Sequence, residues 1–424
     1  MSKEIVTQSQ TKQKDQSQKE LRTRLSHLNE CSIEWHSEQS TEVVGEGSMK
    51  MSLNELTEHS LEILAKGDGL DWIASYIQGH WNSSDLLQFI KQMVKKDELK
   101  LKSTSLWRRS VFQLYKHWMH QSATQAFDFL KVHHDLSDRF FEVFLDQHYL
   151  LYGTALYLHP QASLDQAAQS QLQRVCEKLS VIPTDHLFDA GSGWGGLGLY
   201  AAKYYGAKVT ILSQSLQHQK FIQAKAYLMN VQHLVTLIDR ETLIKETHSF
   251  NKIALLTPMN LVGHLYAKEL IEQLSKTLDP RGLMLIQTLT QIDEGFGALI
   301  ESFMQRYFFD SYTLYSLPMF FQKAVNHSGL KLLHLETMDE HVARTFIDWY
   351  QRLQDNRNRL VDTGLTPTFL RLYDAYIALF YAGACTRKLQ GTQILLAKNN
   401  YQGNDWLLSH AKSGYFPSPL INNH

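Results

Sequence analysis

Long apolar runs are missing from this 424-residue chain: no stretch of about 18 apolar residues occurs, which excludes a helical membrane span and leaves peripheral contact as the only route to a lipid surface. The N-terminus also lacks the apolar core of a secretory leader. Cysteine is scarce, and Cys31, Cys176 and Cys385 stand too far apart for metal or redox spacing, which fits core or surface thiols in a reducing cytoplasm. Neither sign of charge dominates. Lys+Arg number 42 against 43 Asp+Glu, a net charge of −1, so general nucleic-acid binding is not expected. Residues 1–27 are almost free of apolar side chains and rich in Gln, Ser and Lys, the composition of a disordered tail.

What the chain does have is 43% hydrophobic and 11% aromatic residues, enough for a large core in one full domain plus a smaller one. Its most informative stretch is His186-Leu187-Phe188-Asp189-Ala190-Gly191-Ser192-Gly193-Trp194-Gly195-Gly196. An apolar strand runs into a glycine loop and then into Leu197–Tyr205, apolar at helical spacing and closed by Gly206 as a left-handed cap. Lys208–Ser213 reads as a second strand, making a β-α-β unit whose ligand crevice lies at the carboxyl ends of parallel strands.

Gly191, Gly193 and Gly196 also satisfy the dinucleotide fingerprint. Asp189 argues against a dinucleotide, because its carboxylate would face a pyrophosphate across a loop built to bring amides close to phosphate. S-adenosylmethionine carries no phosphate, and its ammonium and sulfonium are groups that such a carboxylate attracts directly or through water. The acid that a dinucleotide wants at the end of the second strand is replaced by Ser213-Gln214-Ser215.

Upstream, Cys31–Trp35 and Thr41–Val44 suggest a short strand pair, and helices are expected over Leu53–Ala65, Trp72–Tyr76 and Leu86–Val94, the last capped by Ser83-Ser84-Asp85. From Lys95 to Trp118 the chain turns basic and aromatic, the pattern of a surface resting on anionic lipid or of an ordinary solvated amphipathic helix.

Val132-His133-His134-Asp135-Leu136-Ser137-Asp138-Arg139-Phe140-Phe141-Glu142-Val143-Phe144-Leu145-Asp146 resembles the HYDL-ND-FF-LFLD stretch of cyclopropane-fatty-acyl-phospholipid synthases and the related mycolic acid cyclopropane synthases. Gly69 to Trp81 with Asp85-Leu86, Phe188–Gly196, Phe303–Phe309 and His341–Tyr350 resemble further motifs of that family in the same order, so the likeness covers roughly residues 60 to 398. It implies a class I methyltransferase fold, α/β and Rossmann-like with a mainly parallel sheet, preceded by a smaller helical domain. The implied chemistry adds the methyl of S-adenosylmethionine across a cis double bond of a phospholipid acyl chain. A carbocation forms, and a bound bicarbonate removes the proton that lets the ring close.

Carried over by position, Gly191, Gly193 and Trp194 surround the methionine part of the cofactor with Asp189 beside them, Ser213 falls at the family's Thr ending the second strand, His218 at its ribose-binding Gln and Asp239 at the acid beside adenine, with Tyr152 and Gly153 also counted among the cofactor-binding residues. The bottom-up reading agrees for Ser213, His218 and Asp239 as hydrogen-bonding groups past the second and third strands, while leaving open a solvated His218 and a plain loop Asp239.

The base site departs from the family. Either Gly153 or Thr154 replaces its Cys, Asn260 its Glu, Leu261 a His, and Gln287 a second His, while Tyr350 matches its Tyr. Thr154, Asn260 and Gln287 can hydrogen-bond an anion, but the titratable groups are gone, so ring closure is the step in question. Tyr307, Phe308, Phe309, Tyr312 and Phe320 offer faces to a cation or simply pack the core.

The organisation expected is a disordered tail over 1–27, a mostly helical domain over 28–125, the methyltransferase domain over 126–400 with a helical lid insertion at about 292–385, and a tail over 401–424. The expected partners are phospholipid acyl chains at the inner face of the membrane, where a cytoplasmic protein sits peripherally, and a second subunit, either a copy or an active homologue. A catalytically silent homologue and a small-molecule methyltransferase of the same fold are the alternatives.

Overall fold

The computed structural model describes residues 2–37, 40–55, 57, 60–101, 138–213, 215–239, 242, 250–256, 259–261 and 263–403, the side chains at 2–11, 138, 264 and 265 apart. The expected tail is instead a helix, α1 (Ser2–Ser26), whose C-terminal half docks through Leu21 and Leu25, with Leu28 just beyond; all three are fully buried. Burying such side chains contributes about 1.5–3 kcal/mol each. Arg24 completes the dock by donating to the Leu64 and Gly67 carbonyls at 2.8 and 2.9 Å and by pairing with Glu98. Three leucines at spacings of four and three are too few to lift the composition above that of a polar tail.

Strands β1 (Cys31–His36) and β2 (Thr41–Val44) form the expected pair, and it is antiparallel. The sheet is larger than expected, because β3 (Met49–Glu55) lies parallel to β1 and β4 (Trp81–Ser83) pairs with β3. Leu53, expected to open a helix, is therefore in a strand, and α2 begins later (Ser60–Lys66). Helix α3 (Gly69–Ile77) starts at a capping box on Asp68, and α4 (Leu86–Lys95) at Asp85, whose carboxylate accepts the Gln88 N–H. The basic stretch falls outside the described residues beyond 101. Within them, Lys95 pairs with Glu30 and Lys100 with Asp97.

After α5 (Asp138–Phe144) and α6 (Leu164–Lys178) comes the second sheet. Its strands are β5 (His186–Asp189), β6 (Lys208–Leu212), β7 (Val235–Ile238), β8 (Phe250–Leu255), β9 (Leu278–Gln291), β10 (Leu330–Thr337) and β11 (Leu389–Lys398), in the order β10-β11-β9-β8-β5-β6-β7. Strands β5 to β9 are parallel, β11 runs antiparallel to β9, and β10 at the edge runs antiparallel to β11. The helices include α7 (Gly196–Tyr205), α8 (Leu216–Leu228), α9 (His264–Thr277), α10 (Glu294–Tyr307), α11 (Asp339–Asp355) and α12 (Pro367–Cys385). This is the class I methyltransferase architecture.

The expected helical lid is interrupted by β10, an edge strand with three exposed residues in a row, Lys331, Leu332 and Leu333, so its sequence gives little alternation to read. One core runs from α1 and the first sheet through α10, α11 and α12. Arg371 of α12 donates to the Tyr76 and Trp81 carbonyls, both at 2.5 Å, and joins the N-terminal unit to the larger one.

Candidate active site

The loop after β5 is held by Asp189, which is fully buried. Its carboxylate accepts the Ser192 N–H at 3.1 Å, the Ser192 hydroxyl at 2.5 Å and the Gly198 N–H at 3.0 Å. Burial pushes its pKa up to about 6, against the pull of these three donors. The Asp189 carboxylate thus braces the loop and the start of α7.

Glycine is required at several points here. Gly191, Gly193 and Gly195 have φ of 97°, 69° and 71°. A Cβ on Gly196 would stand 2.8 Å from the Tyr149 carbonyl oxygen, whereas one on Gly193 would meet nothing within 4 Å, so the loop is closed behind and open in front.

Ser213 follows β6, and its buried hydroxyl has no hydrogen-bond partner among the described residues. Asp239 follows β7, exposed, and accepts the Thr242 N–H and hydroxyl at 2.8 and 2.6 Å through one oxygen. The glycine loop, Ser213 and Asp239 thus sit at the carboxyl ends of three adjacent strands, about 10 Å across at the usual strand spacing. That span, a polar group at each strand end and an open glycine face fit a nucleoside laid over the strand ends.

His218 is buried, which removes the solvated reading. Its ring lies 4.5 Å from that of Trp194, and its N–H is capped by the Ser215 hydroxyl. Trp194 is fully buried and packed on Phe141 at 5.0 Å.

From Trp194 an aromatic wall continues inward. Phe141 meets Tyr152 at 5.6 Å, Tyr152 lies flat on Trp349 (5.3 Å, 3°), and its hydroxyl is 3.3 Å from that of Tyr376. Tyr376 and Tyr373 both flank Phe308, and Phe309 and Tyr312 are buried in the same core. Phe320 does not belong here, because it packs on Tyr315 in a separate core below the sheet. Tyr307 is half-buried at the margin.

The residues expected at the base site scatter. Gly153, and not Thr154, is the residue that faces Gln287: a Cβ on Gly153 would lie 3.5 Å from Gln287 Nε2. Thr154, beside it, is half-buried. Gln287 is buried, and its Oε1 accepts from Gln171 and Gln393 at 2.5 and 2.9 Å.

Asn260 is fully buried and committed elsewhere. Its Nδ2 donates to the Leu289 and Thr313 carbonyls, both at 2.9 Å, and its Oδ1 accepts from the Thr288 hydroxyl and the Leu289 N–H. Four bonds exhaust the carboxamide, so Asn260 is a structural clasp and not a free anion ligand.

Tyr350 points away from the others. On α11, His341, Thr345 and Trp349 share the stripe that touches Tyr157, Ala155 and Tyr152, and Tyr350 lies one residue, about 100°, further round the helix. Burial, and after it the charge of Asp374, which pairs with Arg357 at 2.8 Å, raise its pKa. Phe141 and Trp349 fall within the family-like stretches but were given no role there, and Tyr373 and Tyr376 went unread, because an aromatic at helical spacing is indistinguishable from core in the sequence.

These features define an S-adenosylmethionine-dependent methyltransferase of the class I fold. The chain belongs to the mycolic acid cyclopropane synthetase family, whose model matches residues 121–394, more than half its length. Its relatives include a probable fatty acid methyltransferase of Pseudomonas putida, 27% identical over 61% of this chain and 66% of that one. A tuberculostearic acid methyltransferase of Mycobacterium tuberculosis is 25% identical over 73% and 74%. A cyclopropane-fatty-acyl-phospholipid synthase of Escherichia coli is 24% identical over 78% and 83%. Among solved structures, mycolic acid cyclopropane synthase CmaA1, complexed with S-adenosylhomocysteine and CTAB, shares the fold with a TM-score of 0.57 and 22% identity over 64% of this chain and 98% of that one.

Proposed function

We propose that this enzyme methylates the double bond of an unsaturated phospholipid acyl chain, to give a cyclopropane or methyl-branched product. The observation that carries this reading is the aromatic wall from Trp194 through Phe141 and Tyr152 to Tyr376, which begins at the glycine loop and continues into the core. A small polar substrate needs convergent polar groups, whereas an alkene needs an apolar channel and π-faces for the positive charge left when one of its carbons takes the methyl. The relatives named for fatty-acid and acyl-phospholipid substrates support the same reading.

The cofactor supplies an electrophilic methyl group. Gly191, Gly193, Ser213, His218 and Asp239 hold and orient it, and the Tyr152–Trp349 stack with Tyr376 keeps water from the charged acyl carbon. A proton must then leave: from the newly added methyl if its C–H electrons are to close the ring onto the charged carbon, or from that carbon's chain neighbour to give a methyl-branched alkene. With Gly153 and Gln287 in place of a thiol and an imidazole, a bicarbonate or other base has N–H donors but no titratable side chain to work with, so ring closure is slow. The substrate is met from the lipid surface. Among the described residues no helix is long and apolar enough to cross a membrane. Incubation with unsaturated phospholipid and labelled S-adenosylmethionine tests the reading: label in the acyl chains supports it, and label confined to soluble acceptors refutes it.

A further inference from the structure

Lys178 anchors a row of buried polar groups that ends at Gly153. Its ammonium pairs with Glu336 and donates to Gln393 Oε1 at 2.6 Å. Burial lowers the Lys178 pKa and Glu336 opposes that shift, which helps to keep the group charged. An ammonium gives hydrogens and takes none, so the oxygen of Gln393 must face it and the NH2 of Gln393 must face the other way.

That NH2 meets Gln287 at 2.9 Å and so turns the Gln287 oxygen toward itself. Gln171 Nε2 donates to the same oxygen at 2.5 Å. Gln287 is left with its own NH2 directed at Gly153, where the nearest atoms to an added Cβ belong to Gln287, Leu151 and Leu256. Each amide is oriented by the one before it, over elements as distant in sequence as α6 and β11. Gln171 Oε1, wholly buried, has no partner among the described residues.

We propose that Lys178 and Gln393 are positioning residues for the proton loss that follows methyl transfer: they fix Gln287 as a hydrogen-bond donor at Gly153, so that the space beside Gly153 receives an oxygen acceptor of small-anion size. The proposal rests on the reaction assigned above, and its test separates the two. Gln393→Glu keeps a partner for Lys178 but presents only acceptor oxygens to Gln287, whose amide then turns round. Lys178→Met removes the anchor, and Lys178→Arg restores a group that only donates.

The probe is carbon-13 bicarbonate, with formate as a second anion, titrated into the full-length protein and followed by NMR. S-adenosylhomocysteine affinity, measured by calorimetry, reports folding. Gln393→Glu and Lys178→Met are expected to weaken anion binding and lower kcat at least tenfold, with cofactor affinity and the KM for lipid within twofold of the wild type and Lys178→Arg restored. Wild-type protein that binds neither anion, or a Gln393→Glu or Lys178→Met variant that binds as tightly as wild type, overturns the proposal. If Gln393→Glu fails to bind cofactor, the Lys178→Met and Lys178→Arg pair decides. Anion binding that follows the variants in a protein transferring no methyl to lipid supports the positioning role and refutes the lipid reading alone.

Discussion

Asn260 and Thr313 are joined by a reciprocal pair of hydrogen bonds: Asn260 Nδ2 donates to the Thr313 carbonyl at 2.9 Å, and the Thr313 N–H donates back to the Asn260 carbonyl at 2.8 Å. The same carboxamide clasps Leu289 at the end of β9, so one side chain ties three segments together. Restoring an acid at 260 should therefore damage the fold before it helps chemistry. Asn260→Ala is expected to cost about 1–3 kcal/mol. Asn260→Glu should cost more, because two carbonyl oxygens would face a buried carboxylate. Urea denaturation measures both, and an Asn260→Glu protein as stable as wild type would refute the clasp.

Asp189 gives a pH dependence with opposite signs for binding and stability. Its pKa is raised in the fold to about 6 from an ordinary value of about 4, so between those values the folded protein takes up a proton that the unfolded chain does not. This group alone then makes the fold relatively more stable as pH falls from about 6 to 4. Protonation removes the charged clamp on Ser192 and Gly198, so affinity for S-adenosylmethionine should fall over the same window. Calorimetry across that range is the check. Asp189→Asn should bind at least tenfold more weakly at pH 7 and show a flattened profile, and an unchanged profile would count against Asp189.

The glycine loop predicts a sharper result. Gly191 has a φ of 97°, a region closed to β-branched residues. Gly191→Val should abolish binding of S-adenosylmethionine and its demethylated product while the thermal transition stays cooperative. Retained affinity within tenfold would remove this loop from the cofactor site.

The β5–loop–α7 unit was legible because its signals are local: an apolar strand, glycines where φ turns positive, and Gly206, whose φ of 65° closes the helix as read. Residues whose roles depend on distant partners were not. The parallel pairing of β1 with β3 skips the intervening β2, and the helix α1 depends on Leu64 and Gly67 carbonyls far along the chain. Asn260 and Tyr350 were placed by alignment to family motifs, which says what residue stood there but not what the side chain now touches. Lys178, Gln287 and Gln393 come from three elements, and no spacing in the sequence announces that they meet.

The aromatic wall predicts that Trp349→Ala is costly, about 4 kcal/mol by the usual cost of a large aromatic deleted from a core, whereas Trp349→Phe keeps a ring on Tyr152. Methyl transfer by Trp349→Phe should stay within tenfold of wild type. Loss of transfer in Trp349→Phe at wild-type stability would show that the indole does more than stack.

The most direct test of the central claim is anaerobic incubation of the protein with methyl-labelled S-adenosylmethionine and vesicles of unsaturated phospholipid, followed by mass analysis of the released acyl chains. Label is expected in the acyl chains as a methyl or methylene addition, with cyclopropane forming more slowly than about one turnover per second. Acyl chains that stay unlabelled, while the same protein binds the cofactor and methylates a soluble acceptor, would contradict the assignment of a lipid substrate.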